Sequence, residues 1–293
     1  MNTLQEYINK ATVLIEALPY IQAFRGKVVV VKYGGSTMTD TGEVDTVLKD
    51  LVFMESVGMR PVVVHGGGPA ITRRLDEQGV ETKRVNGLRV TDKATMKVVE
   101  ETLFGEVNAG IVKAIKRLGG RGVGVSAKEA GIMHVRKHWA LGTDGPVDLG
   151  FVGEVERIEP GPLMDLVKGG MIPVVAPIGR GPNSESFNVN ADTAAGEIAA
   201  ALAAEKLVFL TDVKGIMRNP AEEDTLLSTV HVNQVDGLIN DGIISGGMIP
   251  KVEACMRSVK AGVRKTHIVD GRIPHSMLLE FFTDEGIGTQ IVQ

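Results

Sequence analysis

Val28-Val29-Val30-Val31 and Val62-Val63-Val64 are apolar runs with no polar alternation, the pattern of strands buried on both faces of a parallel sheet. Each run ends in glycine: Lys32-Tyr33-Gly34-Gly35 after the first, His65-Gly66-Gly67-Gly68-Pro69 after the second. Segments 122–126, 172–177, 207–212, 266–270 and 289–292 have the same character and predict five further strands. Between them apolar residues recur at helical spacing. Val44, Val47, Leu48, Leu51, Val52 and Met54 mark one helix. Met96, Val99, Leu103, Val107, Ile111 and Ile115 mark a longer one, capped by Thr91 or Asp92. Alanine-rich 192–205 predicts a buried helix. Residues 131–158 break the rhythm, with two strand-like segments around a Gly-Thr-Asp-Gly-Pro turn, and predict an antiparallel hairpin. The alternation as a whole predicts an α/β protein, with a mainly parallel sheet covered by helices on both faces.

The chain opens on an amphipathic helix over 3–18, with Leu4, Ile8, Ala11, Leu14, Ile15 and Leu18 on one side and Pro19 after its end. That stripe can pack on its own domain or dock on a neighbouring subunit. The Gly/Pro-rich stretch 179–184 is the best boundary, which divides the chain into an N-terminal helix (1–24), a first lobe (25–180) and a second lobe (181–293) able to share one sheet.

Composition narrows the class. With 293 residues, 43% hydrophobic but only 4% aromatic, the core must be aliphatic. A net charge of −4 argues against broad nucleic-acid binding or adhesion to an anionic membrane. The lone cysteine, Cys255, excludes an internal disulfide, and no apolar stretch reaches the ~18 residues of a membrane span. Glu6 and Glu16 make the N-terminus unlike a secretory signal. The expectation is a soluble cytoplasmic protein.

Glycine at a strand exit removes the Cβ, so a ligand can approach and backbone N–H groups can face an anion. One such loop could be a plain tight turn. Two adjacent loops, one carrying Lys32, look like a cradle for a polyphosphate at the carboxyl ends of the strands. The P-loop pattern and the protein-kinase signatures are absent. Arg89, in Gly87-Leu88-Arg89-Val90-Thr91-Asp92, reads either as a surface charge or as a bidentate clamp for a carboxylate. In Asn188-Val189-Asn190-Ala191-Asp192, either Asn190 or Asp192 can cap the following helix, while Asn188 lies upstream of any cap position. Gly246-Gly247-Met248-Ile249-Pro250-Lys251 puts a lysine in the first turn of a helix, where the dipole disfavours cations. An anion between that lysine and the amides would resolve the conflict.

These five motifs, in order along residues 27–293, resemble the amino acid kinase family, and within it the members that phosphorylate N-acetyl-L-glutamate. The resemblance implies a three-layer αβα sandwich, the acyl substrate in the first lobe and ATP with Mg²⁺ in the second. It implies transfer of the γ-phosphoryl group to the side-chain carboxylate, a step of arginine biosynthesis. Carried over, Lys32 would bind the transferring group and Lys251 the nucleotide phosphates, with Asp192 holding both lysines. Amides of Gly34, Gly35 and Gly68 would line the γ-phosphoryl, with Gly67 beside the substrate. Arg89 would clamp the α-carboxylate, assisted by Asn188, while Thr211, Asp212 and Lys214 would lie on the nucleotide side. No direct protein ligand for the metal is implied. Arginine-inhibited members carry an N-terminal helix that interlaces dimers into a hexamer, so the resemblance also implies a homo-oligomer. It implies feedback inhibition by arginine too, at a site with Tyr20, His267, Glu280 and Gly286. Sister kinases, and a regulator that binds without phosphoryl transfer, are the competing readings. The presence of Lys32, Asp192 and Lys251 disfavours the regulator.

Overall fold

The computed structural model describes residues 3–34, 45–142, 145–219, 221–284 and 286–293; Gly35 lies outside them. Helices α1 (Thr3–Glu16) and α2 (Leu18–Phe24) lead into β1 (Val28–Tyr33), α3 (Thr46–Ser56), β2 (Arg60–His65) and α4 (Gly68–Glu77). A two-stranded ribbon follows, β3 (Arg84–Val85) and β4 (Leu88–Arg89). Next, α5 (Lys93–Glu100) and α6 (Ala109–Arg117) are joined by a π-helical stretch, Glu101–Asn108. The middle of the chain supplies β5 (Gly122–Ser126), β6 (Met133–Gly142), β7 (Gly145–Ile158), α7 (Gly161–Lys168), β8 (Ile172–Ala176), β9 (Ile178–Arg180) and β10 (Ser186–Asn188). It ends with α8 (Ala191–Ala201), β11 (Lys206–Thr211), β12 (Thr229–His231), α9 (Val235–Asn240), α10 (Met248–Lys260), β13 (Lys265–Asp270), α11 (Ser276–Phe281) and β14 (Thr289–Val292).

Eight strands form one sheet in the order β12-β14-β13-β11-β1-β2-β8-β5. Pairing is parallel from β13 through to β5, and only the β13–β14 contact is antiparallel. All seven expected sheet strands are present. Successive β1 valines face opposite ways, as the pleat requires. Val29 and Val31 join a cluster with Leu51 of α3, Ile115 of α6 and Phe281 of α11. Val28 and Val30 join Leu163 of α7, Ile198 of α8 and Val252 of α10 on the other face. Two apolar layers sandwich the sheet, and this is the three-layer αβα architecture.

The hairpin expected in 131–158 is β6–β7, closed into a small barrel with β9 and β10. Its strand edges thereby disappear. The proposed boundary at 179–184 spans the end of β9 and the turn into β10, and the main sheet is continuous across it because β1 pairs with β11. Asp92, not Thr91, caps the long helix, accepting from Thr95 N–H at 2.7 Å. Pro19 lies after the end of the first helix as expected, but α1 stops at Glu16 and a second helix starts at Leu18, with Pro19 in its first turn, where a proline sacrifices no intrahelical hydrogen bond. The apolar stripe of α1 is unburied within the chain, with Leu14 and Ile15 each 67% exposed.

Candidate active site

Adjacent parallel strands bring Gly34 and Gly66–Gly68 to the carboxyl end of the sheet. Gly66 N–H donates to Tyr33 C=O at 3.0 Å, and a Cβ on Gly34 would stand 2.8 Å from Gly66 N. Gly34 also has φ +141°, so backbone angle and space both demand glycine there. Gly67 caps α4 without a side chain, and a Cβ on it would meet Leu103 Cδ2 at 2.5 Å. The unpaired amides at the start of α4, with the positive end of its dipole, thus border the cleft. Beneath them His65 is fully buried. Asn108 Nδ2 donates to Val174 C=O at 2.7 Å and faces His65 Nε2 at 3.0 Å. Nε2 therefore accepts, and Nδ1–H donates to Gly66 C=O at 3.0 Å. Burial pulls the His65 pKa down to about 4, and the ring is a neutral brace for the loop.

Asn190 resolves the capping alternative. Its side chain accepts from the N–H groups of Asp192 and Thr193 at 2.9 and 3.0 Å, which releases the Asp192 carboxylate for other contacts. Lys32 Nζ, from β1, stands 3.1 Å from Asp192 Oδ1, and Lys251 Nζ, from the first turn of α10, stands 3.1 Å from Oδ2. Burial alone would raise the Asp192 pKa, but the two ammonium groups outweigh it and hold the carboxyl below its ordinary value. Two cations share one anion, so the cluster carries a surplus positive charge.

Lys32 and Asp192 line a cavity of about 190 Å³ with Gly66, Gly67, Gly68, Arg89, Asn188 and Asn190. Arg89 is 5% exposed, which excludes the surface-charge reading. Its guanidinium donates to Thr82 Oγ1 at 2.9 Å, Thr72 Oγ1 at 2.7 Å and Gly68 C=O at 3.2 Å. All three partners are neutral, and among the described residues no carboxylate forms an ion pair with it. Burial, then the charge of Arg84, lowers the Arg89 pKa. A buried cation without a counter-ion is suited to an anionic ligand.

On the other side of β1, Thr211 ends β11 beside Asp270 of β13. Thr211 Oγ1 is 3.3 Å from Asp212 Oδ1, and Arg272 grips Asp270 at 2.9 and 2.7 Å. That grip lowers the Asp270 pKa, with a smaller contribution from Lys214. Thr211, Asp212 and Lys214 therefore gather at the carboxyl ends of the strands but do not line the 190 Å³ cavity.

The model of the amino acid kinase family matches residues 27–270. The chain belongs to the amino acid kinase family. An acetylglutamate kinase of Heliobacterium modesticaldum is 50% identical over 291 residues, covering 98% of this chain and 99% of the relative. One from Pelotomaculum thermopropionicum is 51% identical, covering 96% and 97%. Among solved structures, the N-acetylglutamate synthase of Neisseria gonorrhoeae, complexed with coenzyme A and N-acetyl-glutamate, superposes with a TM-score of 0.82 at 26% identity. The match covers 97% of this chain but only 63% of the synthase.

This kinase has a second cavity, of about 430 Å³, that brings together Tyr20, His267, Glu280 and Gly286. Tyr20 Oη donates to Asp284 Oδ1 at 2.5 Å. Burial lowers the His267 pKa, and its Nδ1–H donates to Glu280 Oε1 at 2.6 Å. Glu280 Oε2 accepts from Ile287 and Gly288 N–H at 2.9 and 3.1 Å. Burial would raise the Glu280 pKa, yet these donors hold it down. A Cβ on Gly286 would lie 2.8 Å from the carboxylate.

Three contributors escape sequence reasoning. Lys206 lines the second cavity with Nζ 4.4 Å from the Phe281 ring centroid and 5.0 Å from that of Phe24, and burial pulls its pKa down to about 8. Nothing in Lys206-Leu207-Val208 distinguishes it from a strand-end lysine. Asn108 is polar on the apolar face of a helix, a signal that could have marked it. Arg84 borders the first cavity, and Asn86-Gly87 between two short segments was the hairpin signal for its ribbon.

Proposed function

We propose that this kinase transfers the γ-phosphoryl group of ATP to the side-chain carboxylate of N-acetyl-L-glutamate, the reaction its curated relatives are named for. The observation that carries the reading is Asp192 bridging Lys32 and Lys251 beside two glycine loops. The glutamyl carboxylate has an ordinary pKa of about 4.3, so the nucleophile is ionised near neutral pH and needs no general base. Its oxygen forms a bond to the γ-phosphorus as the bond to the β-phosphate bridging oxygen breaks, releasing ADP. Repulsion between two anions is the difficulty. Lys32 neutralises the transferring group and Lys251 the leaving phosphates, while Asp192 fixes both ammonium groups. Amides of Gly34, Gly35, Gly67 and Gly68 receive phosphoryl and acyl oxygens, Arg89 binds the α-carboxylate, and Asn188 binds the substrate's polar end. ATP occupies the side of Thr211, Asp212 and Lys214 in the second lobe and the acyl substrate the first. Mg²⁺ arrives with the nucleotide. Among the described residues no group of three His, Cys, Asp or Glu side chains is placed to hold a metal.

The second cavity supports feedback inhibition by arginine. Glu280 offers a carboxylate for a guanidinium, and Tyr20 and Gly286 border it. Exposure of the α1 stripe supports a homo-oligomer interlaced through that helix, up to a hexamer.

Hydroxylamine trapping of an acyl phosphate, with MgATP and a panel of acetylglutamate, glutamate, aspartate and carbamate, tests the reaction. Trapping from acetylglutamate supports the assignment. Turnover of glutamate but not its acetylated form overturns it.

A further inference from the structure

Arg84 and Arg89 are register partners in the β3–β4 ribbon, directly opposite one another across an antiparallel pair. Residues so placed project to the same face, and like charges there repel. Neither the buried Arg89 nor the exposed Arg84 forms an ion pair with a carboxylate among the described residues. Among the described residues Arg84 donates only to Gly87 C=O, at 3.0 Å; its charge lowers the pKa of Arg89, while the Asp76 carboxylate, outside ion-pair contact, raises it by less. The ribbon closes on a turn in which Asn86 and Gly87 have φ of 50° and 80°. Such a turn fixes the register, which keeps both arginines on one face of the ribbon.

Both guanidinium groups converge on the same spot. Arg89 Nη2 donates to Gly68 C=O at 3.2 Å, and Arg84 Nη2 lies 3.9 Å from where a Gly68 Cβ would stand. Both residues line the 190 Å³ cavity that holds Lys32 and Asn188. Arg84 also borders a wider, open cavity of about 630 Å³ beside Thr72, Arg73 and Asp76. It therefore stands at the mouth of the acyl site, with Arg89 at its wall.

We infer that Arg84 is a second guanidinium for the α-carboxylate of the acyl substrate, gripping one oxygen from the solvent side while Arg89 grips the other from within. The inference rests on acetylglutamate being the substrate. A carboxylate between the two arginines removes their mutual repulsion and supplies the missing counter-ion. Selectivity follows: an acid with a free α-carboxylate is favoured over one whose α-carboxyl is amidated, because the amide leaves two cations uncompensated. Since this contact is remote from the reacting carboxylate, it is equal in the ground and transition states, and KM should change without kcat.

Steady-state kinetics of wild type, Arg84→Met and Arg84→Lys, with N-acetyl-L-glutamate and its α-amide, test this. Arg84→Met should raise KM for the acid roughly tenfold or more, the scale of one charged hydrogen bond, with kcat within about twofold. KM for the α-amide should not move, so the amide-to-acid KM ratio collapses. Arg84→Lys keeps the charge and should recover part of that ratio, which also serves if the methionine variant folds poorly. A ratio equal to wild type in both variants, or a parallel rise of both KM values, would make Arg84 merely structural and overturn the inference. A wild type inert toward acetylglutamate would instead overturn the functional reading, and this one with it.

Discussion

Lys32 and Lys251 come from opposite ends of the chain and contact different oxygens of one carboxylate, each at 3.1 Å from Asp192. On the proposed mechanism, replacing either lysine with alanine removes one electrostatic stabiliser of the migrating phosphoryl group, and kcat should fall roughly 10²-fold or more. Asp192→Asn should produce a comparable loss, because the ammonium groups would then repel without an anchor. Single-turnover rates of acyl phosphate formation check this. A loss confined to KM would assign the lysines to binding alone.

Gly34→Ala places a methyl group 2.8 Å from Gly66 N at a backbone angle that L side chains rarely adopt. The strain is on the order of 1–3 kcal/mol, and the glycine loops must part to relieve it. Both Tm and kcat should drop. Calorimetry and kinetics on one preparation separate the two, and a wild-type rate would show that the loop contact is dispensable.

His65 makes stability fall with acid. Its folded pKa of about 4 lies below the unfolded value of about 6.5, so the unfolded chain binds more protons between them. The stabilisation is complete above pH ~6.5 and is lost as pH falls toward 4, by at most about 3 kcal/mol. Thermal melts of wild type and His65→Gln at pH 7 and 5 should show a smaller acid-induced drop in the variant. Parallel drops would sink the assignment.

Glu280 is held ionised in its cavity, so Glu280→Gln should weaken arginine inhibition at least ~10-fold while kcat without arginine stays within twofold. Lys206, with its pKa pulled to about 8, loses its charge just above neutrality. If it meets the carboxylate of arginine, the inhibitory concentration should climb between pH 7.5 and 8.5, and should not do so in Lys206→Met.

Removing residues 1–16 deletes α1 but leaves α2, whose Phe24 packs on Phe281 at 5.2 Å between centroids. Light scattering should then report a smaller assembly with basal kcat retained. An unchanged mass would mean that the exposed stripe of α1 joins no subunits.

The central sheet was legible because two-sided burial demands uninterrupted apolar runs, and β1, β2, β8 and β11 carry them. The meeting of Lys32, Lys251 and the glycine turns was legible for a related reason. Glycines after strands, and a lysine where the α10 dipole disfavours one, violate local preferences and so stand out. Short strands such as β3, β4, β9 and β12 escaped, since two or three residues hold no period to read.

The sequence by itself determined which residues must be buried, where glycine was required and which charges were out of place locally. Only the tertiary structure decided that Asn190 caps α8 and frees Asp192, that Arg84 faces Arg89, and that Lys206 joins His267 and Glu280. Hydrophobic burial and backbone sterics act over a few residues and leave a periodic trace. Charge pairing across the cleft depends on strand order and register, which bring together groups that share no local pattern.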